Sequence, residues 1–209
     1  MTKYNKYQDY VIKDGKLIGE FEAMYKDYED PWEQTTREQG AIEKEIGLLL
    51  MKKYGHKKPL EYGCGFGDYT EKLRKTVGYS GGVDISLTAI NKAKYRFPEV
   101  DFFVGDLLNL DVLRKVNPDC ICMVEITWYV LEKLDSFKEI LSSRQQGSGF
   151  FHTLMTYKPG EQQYGTNFFT NLDEIRRYWS DTVDIKEWGI NGKPEYNGGH
   201  RTFIYGTIK

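Results

Sequence analysis

Four acidic residues close four apolar stretches of this chain: Glu61 in "LEYGCGFGDYT", Asp84 in "GVDIS", Asp106 in "VGDLL" and Glu125 in "CICMVEITWYV". Directly after Glu61, glycines alternate at Gly63, Gly65 and Gly67. Glycine inside an element costs about 0.5–1 kcal/mol, so such a cluster marks a backbone that must turn sharply or approach something closely. Both readings stand at this point: a tight strand-to-helix turn, or a loop on which a ligand lies. The carboxylates narrow the ligand. At successive strand ends they accept hydrogen bonds from sugar hydroxyls and a base amino group, and they repel a phosphate. Asp84 follows Glu61 by a little over twenty residues, where an acidic residue commonly takes both hydroxyls of a ribose. Asp106 is placed to meet a base edge. Each aspartate also suits the N-cap of the helix that follows it.

The elements that must position these groups alternate. "REQGAIEKEIGLLLMKKYG" has helical spacing at Ile42, Ile46, Leu49 and Leu50 and stops at Gly55. "KPLEYGC" reads as a short strand, followed by a helix with Tyr69, Leu73 and Val77 on one face and Gly78 at its end. "YSGGVDIS" is a second strand, "LTAINKAKYRF" a helix ended before Pro98, and "VDFFVGDLL" a third strand. "DCICMVEITWYV" reads as one long strand covered on both faces. A helix at "LDSFKEILSS", a strand at "GFFHTLMTY", a helix at "NLDEIRRYWS" and closing strands at "TVDIKEWGI" and "RTFIYGTIK" complete the chain. Alternation at this spacing predicts an α/β fold with a parallel sheet and helices on both faces. The carboxyl ends of its strands are where such a sheet binds its ligand.

Composition excludes several classes. The chain has 209 residues, enough for one domain with a full core, and a formal net charge of -2 without the basic excess of a general nucleic-acid binder. No apolar run approaches the length of a membrane span, and the start, "MTKYNKYQDYVIKDGK", has no signal-peptide core. Cys64, Cys120 and Cys122 form no CxxC pair, and His56, His152 and His200 are far apart. A metal site is therefore not expected, and a reducing cytoplasmic setting fits. Aromatic residues reach 15%, with 16 tyrosines, which suits flat or polar small ligands.

"LEYGCGFGDYT", "GVDIS", "VGDLLNL" and "PDCICMVEITWYVLE" resemble, in order and spacing, the successive motifs of class I S-adenosylmethionine-dependent methyltransferases, over roughly Leu60 to Tyr157. The loop runs E-x-G-x-G-x-G, unlike the dinucleotide pattern, and the third acidic strand end does not suit the rival ligand, a nicotinamide dinucleotide. The resemblance implies a Rossmann-like doubly wound sheet of about seven strands, mostly parallel with an antiparallel strand near one edge. It implies a lid or cap over residues 1–40, a methyltransferase domain over 41–209, and S-adenosylmethionine as cofactor. By the same resemblance Gly63, Gly65 and Gly67 let the backbone approach the cofactor, and Glu61 orders that loop or the cofactor's amino group. Asp84 accepts from the ribose hydroxyls with Ile85 against adenine. Asp106 accepts from the adenine amino group with Leu107 over the ring. Glu125 lies where methionine and acceptor meet, and Tyr62 stands in place of a more common small apolar residue. Trp32, with Tyr25 and Tyr28, reads as a lid over the cofactor or as a packing anchor.

On the acceptor side there is no NPPY-like tetrapeptide after the fourth strand and no catalytic cysteine motif. "DPW" and "VEITWYVLEKL" instead resemble the NodS-like group, which methylates amino sugars of lipo-oligosaccharides, and methyltransferases of surface-polysaccharide synthesis. The expected catalytic residues are Tyr129, His152 and Glu125, with Trp128, Tyr157 and His200 nearby; His152 also reads as a core residue. The expected function is O- or N-methylation of a sugar or sugar-linked group, with a small-molecule acceptor, no nucleic acid and no membrane. The alternative is a domain that binds S-adenosylmethionine without turnover.

Overall fold

The computed structural model describes residues 2–35, 41–158, 160–192 and 200–209. Its seven-stranded sheet has the order β5-β4-β3-β6-β7-β9-β8. The strands are β3 (Pro59–Tyr62), β4 (Gly81–Asp84), β5 (Asp101–Val104), β6 (Cys120–Val124), β7 (Gly149–Thr156), β8 (Val183–Asn191) and β9 (His200–Ile208). Pairings from β5 through β7 are parallel, and β9 runs antiparallel between β7 and β8. The chain leaves β3 toward β4 and β5, then crosses back to β6 on the other side. The topological switch point therefore lies between β3 and β6, and their diverging carboxyl ends open a crevice.

Side chains alternate along each strand and sort the core into layers. Leu60 and Tyr62 of β3, Ile121 and Met123 of β6, and Phe150 and Leu154 of β7 face α5 (Leu110–Val116), α6 (Leu134–Arg144) and α7 (Leu172–Trp179). Cys120, Cys122, Val124 and Phe151 face α2 (Ile42–Lys53) and α3 (Asp68–Val77). A third cluster joins α4 (Leu87–Arg96) to β5 through Ile90, Ala93 and Phe102. β3 and β6 are buried at every position, as continuous apolar strands covered on both faces should be.

The sequence reading differs from the fold in three places. The N-terminal region is structured: a hairpin of β1 (Ile12–Lys13) and β2 (Lys16–Leu17) precedes α1 (Phe21–Asp27), and their aromatics pack on Phe66 and Ala89 of the domain. Helix α5 has only seven residues, too few for a periodic signal. The long strand predicted through Val130 ends at Val124, because Glu125 adopts a left-handed backbone (φ 60) and Thr127–Tyr129 form a 3₁₀ turn.

Phe137 is fully buried and meets Tyr62 edge-on, ring centroids 5.5 Å apart. Phe137→Ala should lower the urea midpoint at unchanged m, a loss of about 3–5 kcal/mol. A loss below about 1 kcal/mol would show that this layer closes over the cavity.

Candidate functional site

The glycine loop is folded against protein groups. Gly63 and Cys64 donate to the Val83 carbonyl at 2.7 and 3.0 Å, pinning the loop to β4. Gly63, Gly65 and Gly67 have φ of 70, 52 and 81°, which side-chain-bearing residues rarely adopt. A Cβ on Gly63 would meet Ile126 at 2.1 Å, and one on Gly67 would meet Phe102 at 2.4 Å. At Gly65 the neighbour is Gln34 of the N-terminal segment, whose Oε1 also accepts from the Phe66 amide at 2.9 Å. Glu61 is buried and accepts from Thr70 Oγ1 at 2.5 Å, tying β3 to α3. Tyr62 turns away into the core against Phe137, so it offers the crevice only its backbone.

Asp84 is the joint of the site. Its Oδ2 accepts from the Gly65 amide at 3.0 Å and its Oδ1 from the Ser86 amide at 2.9 Å. Burial pushes its carboxyl up to about 6 against the pull of these two donors. The N-cap of α4 is Ser86, whose Oγ accepts from Ala89 N at 3.1 Å. The N-cap of α5 is Asn109. Neither Asp84 nor Asp106 caps a helix. Asp84 stands at the carboxyl end of β4 beside Ile85, which is 52% exposed.

Sequence reasoning missed Glu22 of α1. It accepts from Ser86 Oγ at 2.6 Å, Thr88 N at 3.1 Å and Thr88 Oγ1 at 2.8 Å. Burial opposes its ionisation, but these donors outweigh it and hold the carboxyl down at about 2. The only sequence hint was the hydroxyl pair of "SLT" at the start of α4.

Asp106 lies two residues past the end of β5 in a turn where its Oδ1 accepts from Leu108 N at 2.9 Å. Its Oδ2 pairs with Lys133 at 3.0 Å. Burial would raise this carboxyl, and Lys133 with the Leu108 amide turns the shift downward. Leu107 is buried beside it in the core. Lys133, distant in sequence, carried no signal.

The acceptor side centres on Glu125. Its Oε2 accepts from Met155 N at 2.9 Å, while Oε1 is shut from solvent with no partner among the described residues. Burial raises its carboxyl, partly offset by Lys44 and Arg201 and reinforced by Glu43. Arg201 of β9 pairs with the fully buried Glu43 of α2 at 2.6 Å. None of these three was foreseen. Tyr129 and Tyr157 both feel the Glu125 charge. Trp128 is fixed by a 2.8 Å bond from its Nε1 to the Met155 carbonyl and packs beside Tyr157. His200 opens β9 and is exposed; the preceding glycine-rich turn lies outside the described residues.

His152 is corrected. Of its two readings, catalytic residue or core residue, the structure favours the core: it is fully buried on the opposite face, between Phe150 and Trp179. Burial drives its pKa down to about 3, and Nε2 meets Thr127 Oγ1 at 2.7 Å. It is a neutral core residue.

The N-terminal aromatics close over this region. Trp32 lies 5.0 Å from Tyr7 and 5.6 Å from Tyr129, ring to ring. Tyr25 packs on Phe66 at 5.2 Å, and Tyr28 packs on Tyr7 and Tyr10. Asp30 accepts from Gln34 N at 2.9 Å and Thr35 N at 3.1 Å, shaping the turn that delivers Gln34 to Gly65.

Residues 60–146 match a family model described as a methyltransferase domain. No curated protein sequence matches the chain. Among solved structures, the N-methyltransferase NodS from Bradyrhizobium japonicum, in complex with S-adenosyl-L-homocysteine, is similar with a TM-score of 0.66 and 14% identity, over 87% of this chain and 93% of that one. The PH0226 protein from Pyrococcus horikoshii is similar with a TM-score of 0.66 and 17% identity, over 88% and 98%. Magnesium protoporphyrin IX methyltransferase from Synechocystis is similar with a TM-score of 0.59 and 15% identity, over 79% and 82%.

The residues fit S-adenosylmethionine: a carboxylate at the end of β4 for the ribose, an exposed Ile85 for the adenine face, and the carboxylate of Glu125 beyond the loop. Calorimetry in EDTA should therefore show binding that Asp84→Ala weakens by at least about tenfold, the scale of charged hydrogen bonds. The sign of the pH effect follows from a carboxyl raised by burial. Ionisation, and the ribose contacts with it, is lost as pH falls through about 6, so affinity should weaken from about pH 7 to about pH 5 in the parent and stay flat in Asp84→Ala. Unchanged affinity in the variant would remove the ribose assignment. Residues 60–146 match the methyltransferase-domain model, and the fold of the chain is one that solved S-adenosylmethionine-dependent methyltransferases share.

Proposed function

We propose that the protein transfers the methyl group of S-adenosylmethionine to nitrogen or oxygen of a small polar acceptor, a sugar or a sugar-linked group. The observation that carries this is Glu125: a carboxylate in a left-handed backbone, with one oxygen shut from solvent and without a partner among the described residues, at the end of β6 beside the glycine loop. A domain that only binds the cofactor has no use for that arrangement, which favours turnover over a sensor role.

The bound cofactor supplies a methyl already activated by a sulfonium, so the protein's work is alignment and exclusion of water. In this reading Asp84 fixes the ribose with Asp106 toward the base, and the Gly63–Gly67 loop faces the methionyl part. The segment carrying Trp32 serves as lid, and residues 41–209 carry the chemistry. Glu125 and Tyr129 orient the acceptor, and Tyr157 and Trp128 wall the approach. His152 takes no proton here, because burial keeps it neutral. The acceptor is a small molecule rather than nucleic acid: the net charge is -2, and phosphate binding needs clustered cations. Among the described residues no helix is long and apolar enough to cross a membrane, and a cytoplasmic setting suits the cofactor.

Incubation with a pool of small polar acceptors should raise S-adenosylhomocysteine formation above the rate without acceptor; equal rates would favour the non-catalytic reading. Tyr129→Phe should lower turnover while leaving cofactor affinity within about twofold, since one neutral hydroxyl contact to substrate is removed. A gel shift with tRNA at physiological salt should show no micromolar complex, and such a complex would overturn the small-molecule assignment.

A further inference from the structure

The two backbone amides that hold Asp84 are each backed by the N-terminal segment. On the loop side, Gln34 Oε1 takes the Phe66 amide at 2.9 Å and lies against Gly65, whose own amide meets Asp84 Oδ2 at 3.0 Å. On the α4 side, Glu22 Oε2 takes Ser86 Oγ at 2.6 Å and the Thr88 amide at 3.1 Å, while its Oε1 takes Thr88 Oγ1 at 2.8 Å. Ser86 is fully buried, and its amide meets Asp84 Oδ1 at 2.9 Å. A hydroxyl has one proton to give. Ser86 gives it to Glu22, which leaves its lone pairs to cap Ala89 N at 3.1 Å. Capping alone does not require Glu22, because Ser86 is already the N-cap. What Glu22 adds is a fixed direction for that hydroxyl and a partner for Thr88, whose amide is one of the helix's unpaired first-turn donors. Glu22 is itself secured. Lys26 pairs with its Oε1 at 3.1 Å; burial opposes its ionisation, and the Ser86 and Thr88 donors overcome it, holding the carboxyl down at about 2.

We propose that Glu22 is a positioning residue for the ribose: through Ser86 and Thr88 it sets the Ser86 amide, and so the orientation of the Asp84 carboxylate that takes the ribose hydroxyls. The inference rests on the reading of Asp84 as the ribose acceptor and deepens it. A carboxylate gripped by one amide can still turn about its Cβ–Cγ bond, whereas one gripped at both oxygens has a single orientation. Asp84 is gripped at both, from two different elements, and the α4 grip is only as fixed as the Ser86 turn. Adjacent hydroxyls of a sugar need their acceptor oxygens held in place, and such placement comes from hydrogen bonds behind the contacting group. Discrimination of ribose from deoxyribose therefore depends on Glu22, a residue that does not touch the sugar.

The test is calorimetry with S-adenosylhomocysteine and its 2′-deoxyribose analogue, on the parent, Glu22→Ala, Glu22→Gln and Lys92→Met. The parent should prefer the ribose compound by about tenfold or more, the scale of one charged hydrogen bond. Glu22→Ala should cut that preference to about threefold or less. Glu22→Gln should restore it to within about twofold of the parent, because the new carbonyl can take Ser86 Oγ and Thr88 N while its amide donates to Thr88 Oγ1. Lys92 ties the same segment to α4 away from Asp84, donating to the Tyr25 and Glu29 carbonyls at 3.4 and 3.1 Å. Lys92→Met should leave the preference within about twofold of the parent, which separates positioning from docking of the segment. A parental preference in Glu22→Ala, as large a loss in Glu22→Gln as in Glu22→Ala, or the same loss in Lys92→Met would each overturn the proposal. No ribose preference in the parent, or no binding of S-adenosylhomocysteine to it, would instead overturn the ribose reading beneath, and the proposal with it.

Discussion

The site hangs on one carboxylate. Asp84 ends β4 and holds two backbone amides that belong to different elements, Gly65 of the loop after β3 and Ser86 at the start of α4. That grip fixes the glycine loop relative to the neighbouring strand at the switch point, where the sheet alone would leave the loops free to splay. It also buries that carboxylate, and burial pushes its pKa up. Burying a charge without full pairing is costly. The arrangement is held by the strands and helices packed around it, and in the proposed reading it presents acceptors in fixed positions to the ribose hydroxyls.

The N-terminal segment is coupled to this joint from two sides. Glu22 binds Ser86 and Thr88 at the amino end of α4, next to the residue that Asp84 holds. A carboxylate there is favoured both by the open amide and by the helix dipole. Gln34 meets the loop at Phe66 and lies against Gly65. Between them Trp32 bridges Tyr7 and Tyr129, and Phe21 also meets Tyr129, so the segment and the turn after β6 are joined by aromatic contacts. Movement of the segment therefore changes the environment of the cofactor loop and of the acceptor-side tyrosine together.

What the sequence disclosed follows from how local each signal is. The glycines and Asp84 were legible because a strand, a tight turn and a helix start lie within a few residues of one another. The layered core was legible because β3 and β6 are apolar at nearly every position. The end of β6 was not: Ile126, Trp128 and Val130 continue the apolar run, and no periodicity distinguishes a strand from a 3₁₀ turn whose side chains are also buried or half-buried. His152 looked like either base or core until the register put it beside Phe150 and Trp179. Glu22, Gln34, Glu43, Lys133 and Arg201 are joined to the site only by contacts distant in sequence, such as the 158 positions between Arg201 and Glu43.

Backbone strain points to the same corner. Four non-glycine residues among those described have positive φ: Asp14, Glu33, Asn117 and Glu125. Asp14 precedes a glycine in the hairpin turn, and Asn117 ends α5; both residue types tolerate this conformation through local hydrogen bonds. Glu33 sits in the turn that Asp30 organises, where its amide bonds the Asp30 carbonyl at 3.1 Å. Glu125 has neither a permissive side chain nor a free-standing turn. A left-handed non-glycine costs of order 1–3 kcal/mol and persists where its surroundings overdetermine it. Here they do so from both ends: the Glu125 amide is held by the Thr153 carbonyl, and its carboxylate by the Met155 amide. An extended residue at this position would send the side chain along the alternation of β6, into a packed layer. The left-handed turn instead brings the carboxylate back over the end of β7. Glycine would relieve the strain but remove the carboxylate, so the strain is the cost of keeping an acid where the glycine loop, the N-terminal aromatics and the Arg201–Glu43 pair approach one another.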